Sequence, residues 1–357
     1  MSRKRIIQFT PSISHGDAVS NDIFAMASEI TRHGYENKVV AINIAESVKG
    51  SVVNFSSFVA QPDDVFIYHM SIGSDLTEYI INAKVKCKIM VYHNITPADF
   101  FKGIPNAQIG CINGRAELIE LVDHIDFAIC DSDYNKEELD TLGYRNTVTL
   151  PIIFDDSDYR NTIPSEKVLK KHKDDGYTNI IFVGRIAPNK KQEDIIASFH
   201  VYNKYINPKS RLILIGSATS MENYYESLED YIEEHNIENI IFPGHISFAD
   251  ILAYYKLADV FLCQSEHEGF CVPLLEAMVF DVPIIAYASS AIPYTLGDSG
   301  IMFTKKDHRI VAELINLVVT NEEFRKKIIA GQRKRLADFD ANKVKSEFME
   351  LINPYIN

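Results

Sequence analysis

Residues 258–287 read ADVFLCQSEHEGFCVPLLEAMVFDVPIIAY. Val260-Phe261-Leu262 is a short apolar run of the kind that forms a buried strand. A polar turn follows, Ser265-Glu266-His267-Glu268-Gly269. Pro273 then opens the apolar, helix-favouring segment Leu274-Leu275-Glu276-Ala277-Met278, which suits proline in a first helical turn. Pro283-Ile284-Ile285-Ala286 reads as the next strand. The stretch is strand, acidic loop, helix, strand. Loops beyond the C-terminal ends of strands are where open α/β sheets bind ligands.

The same alternation continues outward. Upstream lie strand NIIFVG (179–184), the loop Arg185–Lys190, a helix over 191–206, strand RLILIG (211–216), a helix over 221–235, strand NIIFPG (239–244) and a helix over 248–257. Downstream, Gly300–Phe303 is a short strand, followed by helices over 307–319, 321–338 and 341–356. The front of the chain starts a second alternation. Its strands are 3–9, 38–44, 64–69, 88–93, 127–130 and 148–151. Its helices run from Val19 to a C-cap at Gly34, then over 79–83, 114–124 and 133–142. Between the two alternations, residues 154–178 are polar and charged, as expected of a linker with a surface helix. The pattern predicts an α/β protein of two halves, 1–160 and 161–340, each with a mostly parallel sheet.

Composition narrows the function classes. Of 357 residues, 46% are apolar and 24% charged, a globular balance. The net charge of −13 argues against a general nucleic-acid binder, whose affinity rests on basic residues. No run approaches the ~18–20 apolar residues of a membrane span. The N-terminus lacks the apolar core of a signal peptide, so a cytoplasmic protein is expected. The five cysteines, Cys87, Cys111, Cys130, Cys263 and Cys271, are odd in number and show no metal-ligand spacing. They read as reduced thiols, and zinc is not expected.

Two carboxylates mark the opening stretch. Glu268 lies in the loop and Glu276 in the helix. Taken alone they could be solvated acids beside a turn, or acids interacting with a helix N-terminus. The string EHEGFCVPLLEAM, however, resembles the E-x7-E signature of retaining GT-B glycosyltransferases, in particular family 4 (glycosyl transferases group 1). There EGFG-x-P-x-x-E-A is the usual form, and Cys271 stands where that form has glycine. The resemblance extends over VGRIAPNKK, LILIGS, IFPGHIS and PIIAY, from about Asn179 to Phe303. It implies two Rossmann-like domains facing across a cleft, with the C-terminal helix 341–357 packing back on the first. It also implies transfer of a hexose-type sugar from a nucleotide diphosphate sugar to an acceptor hydroxyl, with no metal or other cofactor. Synthesis of a glycan, polysaccharide or glycolipid is the expected setting.

Residue roles follow from the resemblance. Arg185 and Lys190 would hold the donor diphosphate and stabilise it as it leaves; guanidinium and ammonium both suit phosphate oxygens. Glu268 would contact the donor sugar, near the backbone amides of Gly269, Phe270 and Cys271, and Glu276 would accept from the ribose hydroxyls. His93, at a strand end in VYHNITP, would face the donor sugar, hydrogen-bonding and shielding the reacting centre. With Glu268, Arg185 and Lys190 it completes the expected catalytic set. Gly16 keeps the close approach that relatives make with a Gly-Gly pair. Asp17 replaces the second glycine, and either faces an acceptor hydroxyl or caps the helix. Glu266 and His267 are placed at the rim, and Lys191 facing outward. Residues 289–293 are assigned to the phosphate side, and the backbone of 240–247 to the base.

The leaving phosphate would take the acceptor proton, without the carboxyl pair of a hydrolase. Alternatives are a GT-B nucleotide-sugar epimerase or phosphorylase, and a noncatalytic nucleotide-sugar-binding subunit. The acceptor would be a glycan or a lipid-linked sugar. Lys84, Lys86 and Lys88 are either a solvated face or a patch for peripheral contact with an anionic membrane's inner face.

Overall fold

Each half of the chain is built on one parallel sheet. The computed structural model describes residues 4–356. The first sheet holds β1 (Arg5–Ile13), β2 (Glu36–Ile44), β3 (Val53–Asn54), β4 (Val65–Met70), β5 (Cys87–Tyr92), β6 (Phe127–Cys130) and β7 (Thr147–Thr149). Their order is β3-β2-β1-β4-β5-β6-β7. The second holds β8 (Thr178–Val183), β9 (Ser210–Ile215), β10 (Ile240–Gly244), β11 (Val260–Cys263), β12 (Ile284–Tyr287) and β13 (Ile301–Phe303). Its order is β10-β9-β8-β11-β12-β13. Neighbouring strands run parallel in both sheets. The inner strands are buried on both faces because crossover helices cover them, which is why they read as continuous apolar runs. Both halves are Rossmann-like. In each, the strand order reverses beside the first strand, at β1/β4 and at β8/β11, and a loop from each strand of the pair meets there.

The chain divides into two compact units. One runs to Phe154 and takes in the chain again from Phe339; the other is Asp155–Asp338. The sequence places the division near 160. It falls earlier because Tyr159 hydrogen-bonds Glu276, and the helix Glu166–His172 packs on the helix Phe248–Leu257, where the Ser165 amide donates to the Ala249 carbonyl at 2.9 Å. In the first unit, Val344, Phe348, Met349, Ile352 and Ile356 of the helix Ala341–Ile356 join the core with Ile6, Met26, Ile67 and Ile129.

β1 and one helix depart furthest from their expected bounds. β1 runs on to Ile13, with Ser12 opposite Asn43 and Ile13 opposite Ile44. Pro11 masked this, since it has no N–H for the ladder; Arg3, the expected first strand residue, lies outside the described residues. The helix expected over 114–124 spans Pro105–Leu121. Gly110 and Gly114 weaken its helical signal, and they serve packing. A Cβ on Gly114 would stand 2.6 Å from the Gly73 amide nitrogen. Residues 10–13 are therefore strand rather than loop, and the loop after β1 shortens to Ser14–Asp17. Among the described residues, no helix is long and apolar enough to cross a membrane.

Candidate active site

Two loops meet at the reversal point of the second sheet. One follows β8 and carries Arg185 and Lys190; the other follows β11 and carries Glu266 to Cys271. Asn189, buried, joins them: the Glu266 amide donates to its carbonyl at 2.9 Å, and its Nδ2 donates to the His267 carbonyl at 3.0 Å. Gln192, also buried, holds the first loop in shape by donating to the Arg185 carbonyl at 3.0 Å. Gly216, just after β9, lets the backbone there approach the end of β8. A Cβ there would stand 1.9 Å from the Gly184 carbonyl oxygen.

Lys190 and Glu268, 78 residues apart, become direct partners here. The Lys190 ammonium donates to Glu268 Oε2 at 2.5 Å. Burial pulls the ammonium toward neutrality, but the Glu268 charge outweighs it and leaves the Lys190 pKa raised. The Glu268 backbone is fixed in turn. Its amide donates to Ser290 Oγ at 2.8 Å, and Ser289 Oγ donates to the Ser265 carbonyl at 2.6 Å. Residues 289–290 thus latch the acidic loop. Arg185 is exposed at the loop edge, where Nη2 donates to the Thr219 carbonyl at 3.1 Å. Gly269 and Phe270 lead into Cys271, which takes a left-handed conformation (φ 74°, ψ 63°) at the N-cap of the helix Val272–Val279.

Glu276 sits in that helix between two phenols. Tyr159 Oη donates to Oε1 and Tyr255 Oη to Oε2, each at 2.6 Å. Burial raises the carboxyl's pKa, and the two phenol hydrogen bonds offset part of that. Neither tyrosine was legible as a site residue. Tyr159 lies in the expected linker, and Tyr255 in the preceding amphipathic helix.

In the first unit, His93 is part of a buried chain of hydrogen bonds. Gln8 Nε2 donates to the Ile23 carbonyl at 3.2 Å and to Asn37 Oδ1 at 3.3 Å, which turns Gln8 Oε1 toward His69. His69 Nε2 therefore donates to Gln8 Oε1 at 2.9 Å, and its Nδ1 accepts from His93 Nε2, also at 2.9 Å. His93 Nδ1 pairs with Asp131 Oδ2 at 2.8 Å. Burial disfavours the His93 cation, but the adjoining Asp131, with help from Asp22 and Asp17, outweighs it and raises its pKa. Burial, then the His93 charge, holds His69 well below the usual range and neutral. His93 is thus a buried imidazolium with both N–H groups directed at Asp131 and His69. The sequence reading gave it a hydrogen bond to the donor sugar; forming one would break one of these two. The relevant sequence signal was Asp131, at the next strand end, where a partner for a strand-end histidine can stand.

Gly16 has φ +82°, and a Cβ on it would meet nothing within 4 Å, so the loop is open to close approach there. Asp17 caps the helix Ala18–Arg32: Oδ2 accepts from the Ser20 amide at 2.9 Å and from Ser20 Oγ at 2.8 Å. It also lines a cavity of about 1020 Å³ beyond the ends of β1, β2 and β4, with Ser14, Asn43, Lys49 and Ile72.

Other placements change. His267 is 3% exposed rather than at the rim, because its carbonyl is tied to Asn189. Lys191 does not simply face outward; it pairs with Glu193 at 3.2 Å and with Glu266 at 3.6 Å. Lys86 donates to the Ile356 carbonyl at 2.5 Å and Lys88 to the Ile81 carbonyl at 2.8 Å. Two of the three alternating lysines therefore cap helix C-termini, where cations are favoured.

Two groups of side chains among the described residues could hold a cation by proximity: Asp22 with His93 and Asp131, and Cys263 with Glu268 and Cys271. The first does not suit one, since both His93 ring nitrogens are already engaged. The second brings together cysteines whose sequence spacing gave no metal signal.

Residues 165–335 match the family Glycosyl transferases group 1. The chain is 29% identical over 179 residues to the capsular polysaccharide biosynthesis glycosyltransferase CapM of Staphylococcus aureus, covering 49% of this chain and 46% of that protein. It is 24% identical over 200 residues to the O-antigen chain mannosyltransferase B of Escherichia coli, covering 53% and 50%. The chain thus spans about half the length of the curated relatives it matches. Among solved structures, Anabaena HepE in complex with UDP-glucose superposes with a TM-score of 0.77 at 16% identity, covering 98% of this chain and 99% of that one. The fold is that of the GT-B proteins. Arg185, Lys190, Glu268 and Glu276 all fall inside the segment that matches the Glycosyl transferases group 1 model, residues 165–335.

Proposed function

We propose that the protein is a retaining, metal-independent glycosyltransferase that moves a hexose-type sugar from a nucleotide diphosphate sugar to an acceptor hydroxyl in polysaccharide or glycolipid synthesis. The observation that carries this reading is the pairing of Lys190 with Glu268, with Arg185 on the same loop as Lys190 and Glu276 one helix beyond Glu268. A diphosphate takes the Lys190 ammonium and the Arg185 guanidinium, which stabilise its charge as the glycosidic bond breaks. Glu268 is then left to bind a sugar hydroxyl while keeping its backbone anchored on Ser290. Glu276 accepts the ribose hydroxyls in place of, or beside, the phenols of Tyr159 and Tyr255. The leaving phosphate accepts the acceptor proton, so no second carboxyl is required on the attacking face. His93 contributes as a fixed positive charge rather than as a free hydrogen-bond donor.

The cavity beside Asp17 is the place for the acceptor in this reading. Its mixture of Ile72 and Ile44 with Asn43 and Lys49 suits a saccharide or a lipid-linked saccharide. That CapM and the mannosyltransferase B carry names from surface-polysaccharide synthesis supports the setting. A thermal-shift panel of UDP, GDP and ADP sugars tests the donor class. A ligand at 100 times its dissociation constant adds about 2.7 kcal/mol of stability, so one base series stands out; no shift with any of them sinks the proposal.

A further inference from the structure

We propose that Cys263, Cys271 and Glu268 form a binding site for a thiophilic divalent cation of the zinc class, and that its occupation takes a Glu268 oxygen from the donor sugar. The Sγ atoms of the two cysteines and a Glu268 carboxylate oxygen all lie within 4.8 Å of one another. A tetrahedral zinc with bonds of about 2.0–2.3 Å spaces its ligand atoms roughly 3.4–3.8 Å apart, so closure needs only side-chain rotation. All three residues are buried, at 0%, 6% and 6% exposure, which shields a bound cation from water. The donor set is two sulfurs and one oxygen, which selects soft or borderline cations over magnesium and calcium.

Ser265 Oγ stands 3.4 Å from Cys263 Sγ. Lys190, paired with Glu268 Oε2, stands beside this group. Binding releases the two thiol protons to solvent, so the charge of the cation replaces that of two protons. A Glu268 oxygen bound to the cation is no longer available to a sugar hydroxyl.

The effect on sugar transfer rests on the proposed function; the binding itself does not. Cys271 also supplies a clean variant. Its φ of 74° lies in the left-handed region that glycine favours, so Cys271→Gly removes a ligand without straining the backbone.

The full-length protein, reduced and then freed of metal, is titrated with Cd²⁺ alone and watched for the ultraviolet charge-transfer band of cadmium thiolate. One equivalent is expected to saturate the band, and Zn²⁺ to displace it. Cys271→Gly should melt no lower than the parent and weaken Cd²⁺ binding by about 100-fold or more. Cys130→Ser should leave the titration unchanged. A parent without the band, or one whose band survives in Cys271→Gly, overturns the site. No nucleotide enters this titration, so a failed donor panel would count against the glycosyltransferase reading and not against the cation site.

Discussion

His93 Nδ1 stands 2.8 Å from Asp131 Oδ2, and the two residues follow adjacent parallel strands, β5 and β6. The register of the sheet sets the contact, since Tyr92 lies opposite Cys130 and each strand ends one residue before the pair. The carboxylate keeps the imidazole charged in a place from which burial alone would drive the proton out. Asp131→Asn retains an acceptor for the N–H and removes the charge. The pH at which His93 loses its proton should therefore fall. Ring nitrogen shifts of His93 across a pH series measure it, and an unmoved titration would show that Asp131 does not set the charge.

Asp22 offers a test of stability against pH. Its Oδ1 accepts from the Ile153 amide at 2.8 Å, while Oδ2 has no hydrogen-bond partner among the described residues. Burial pushes its pKa from 3.8 up to about 7, against the pull of His93. The folded state then keeps a proton that the unfolded chain releases above 3.8, so stability falls as pH rises between these values. His93, also raised, acts in the same direction above its ordinary range. Asp22→Asn keeps the Ile153 bond and removes the Asp22 share. Its urea midpoint should fall less between pH 5 and pH 7 than the parent's; parallel curves would refute the assignment.

The two glutamates should separate by ligand. Hydrogen bonds to a charged group contribute ~1.5–3 kcal/mol, so Glu276→Ala should raise the dissociation constant of the free nucleoside diphosphate by roughly 10- to 150-fold. Glu268→Gln should leave that constant nearly unchanged and lower turnover of the full donor. Calorimetry beside steady-state rates reads both, and equal weakening of nucleotide binding would mean the roles are wrongly assigned.

Turnover should persist in EDTA, since Arg185 and Lys190 supply the positive charge that a metal gives elsewhere. Loss of activity on chelation, restored by Mn²⁺ or Mg²⁺, would contradict the metal-independent mechanism. Loading the proposed site at Cys263 and Cys271 with a thiophilic cation should lower the rate, and chelation should restore it.

Gly216→Ala should destabilise the second unit. Its Cβ would stand 1.9 Å from the Gly184 carbonyl oxygen, backbone that has no rotamer to yield. A loss of about 1–3 kcal/mol is expected, read as a lower melting temperature; an unchanged melt would show that the turn can open.

The alternation of apolar runs with amphipathic segments was enough to give two parallel α/β halves, because a strand buried on both faces has to be apolar throughout. The acids of the loop after β11 and the cations of the loop after β8 were likewise visible as residue types at strand ends. Their pairing was not. Lys190 meets Glu268 only because β8 and β11 are neighbours in the sheet, a fact of strand order that local sequence does not carry. The same holds for His93, whose partners His69 and Asp131 come from two other strands or their ends, and for Glu276, held by a tyrosine from the apparent linker and another from the preceding helix. Cys263 and Cys271 show the limit most directly. Eight residues of spacing carry no metal signature, yet a strand, a tight loop and a left-handed turn at Cys271 bring both sulfurs to one carboxylate. Periodicity and residue type are local properties and survive in one dimension; a site made across non-consecutive strands exists only once the sheet has chosen its order.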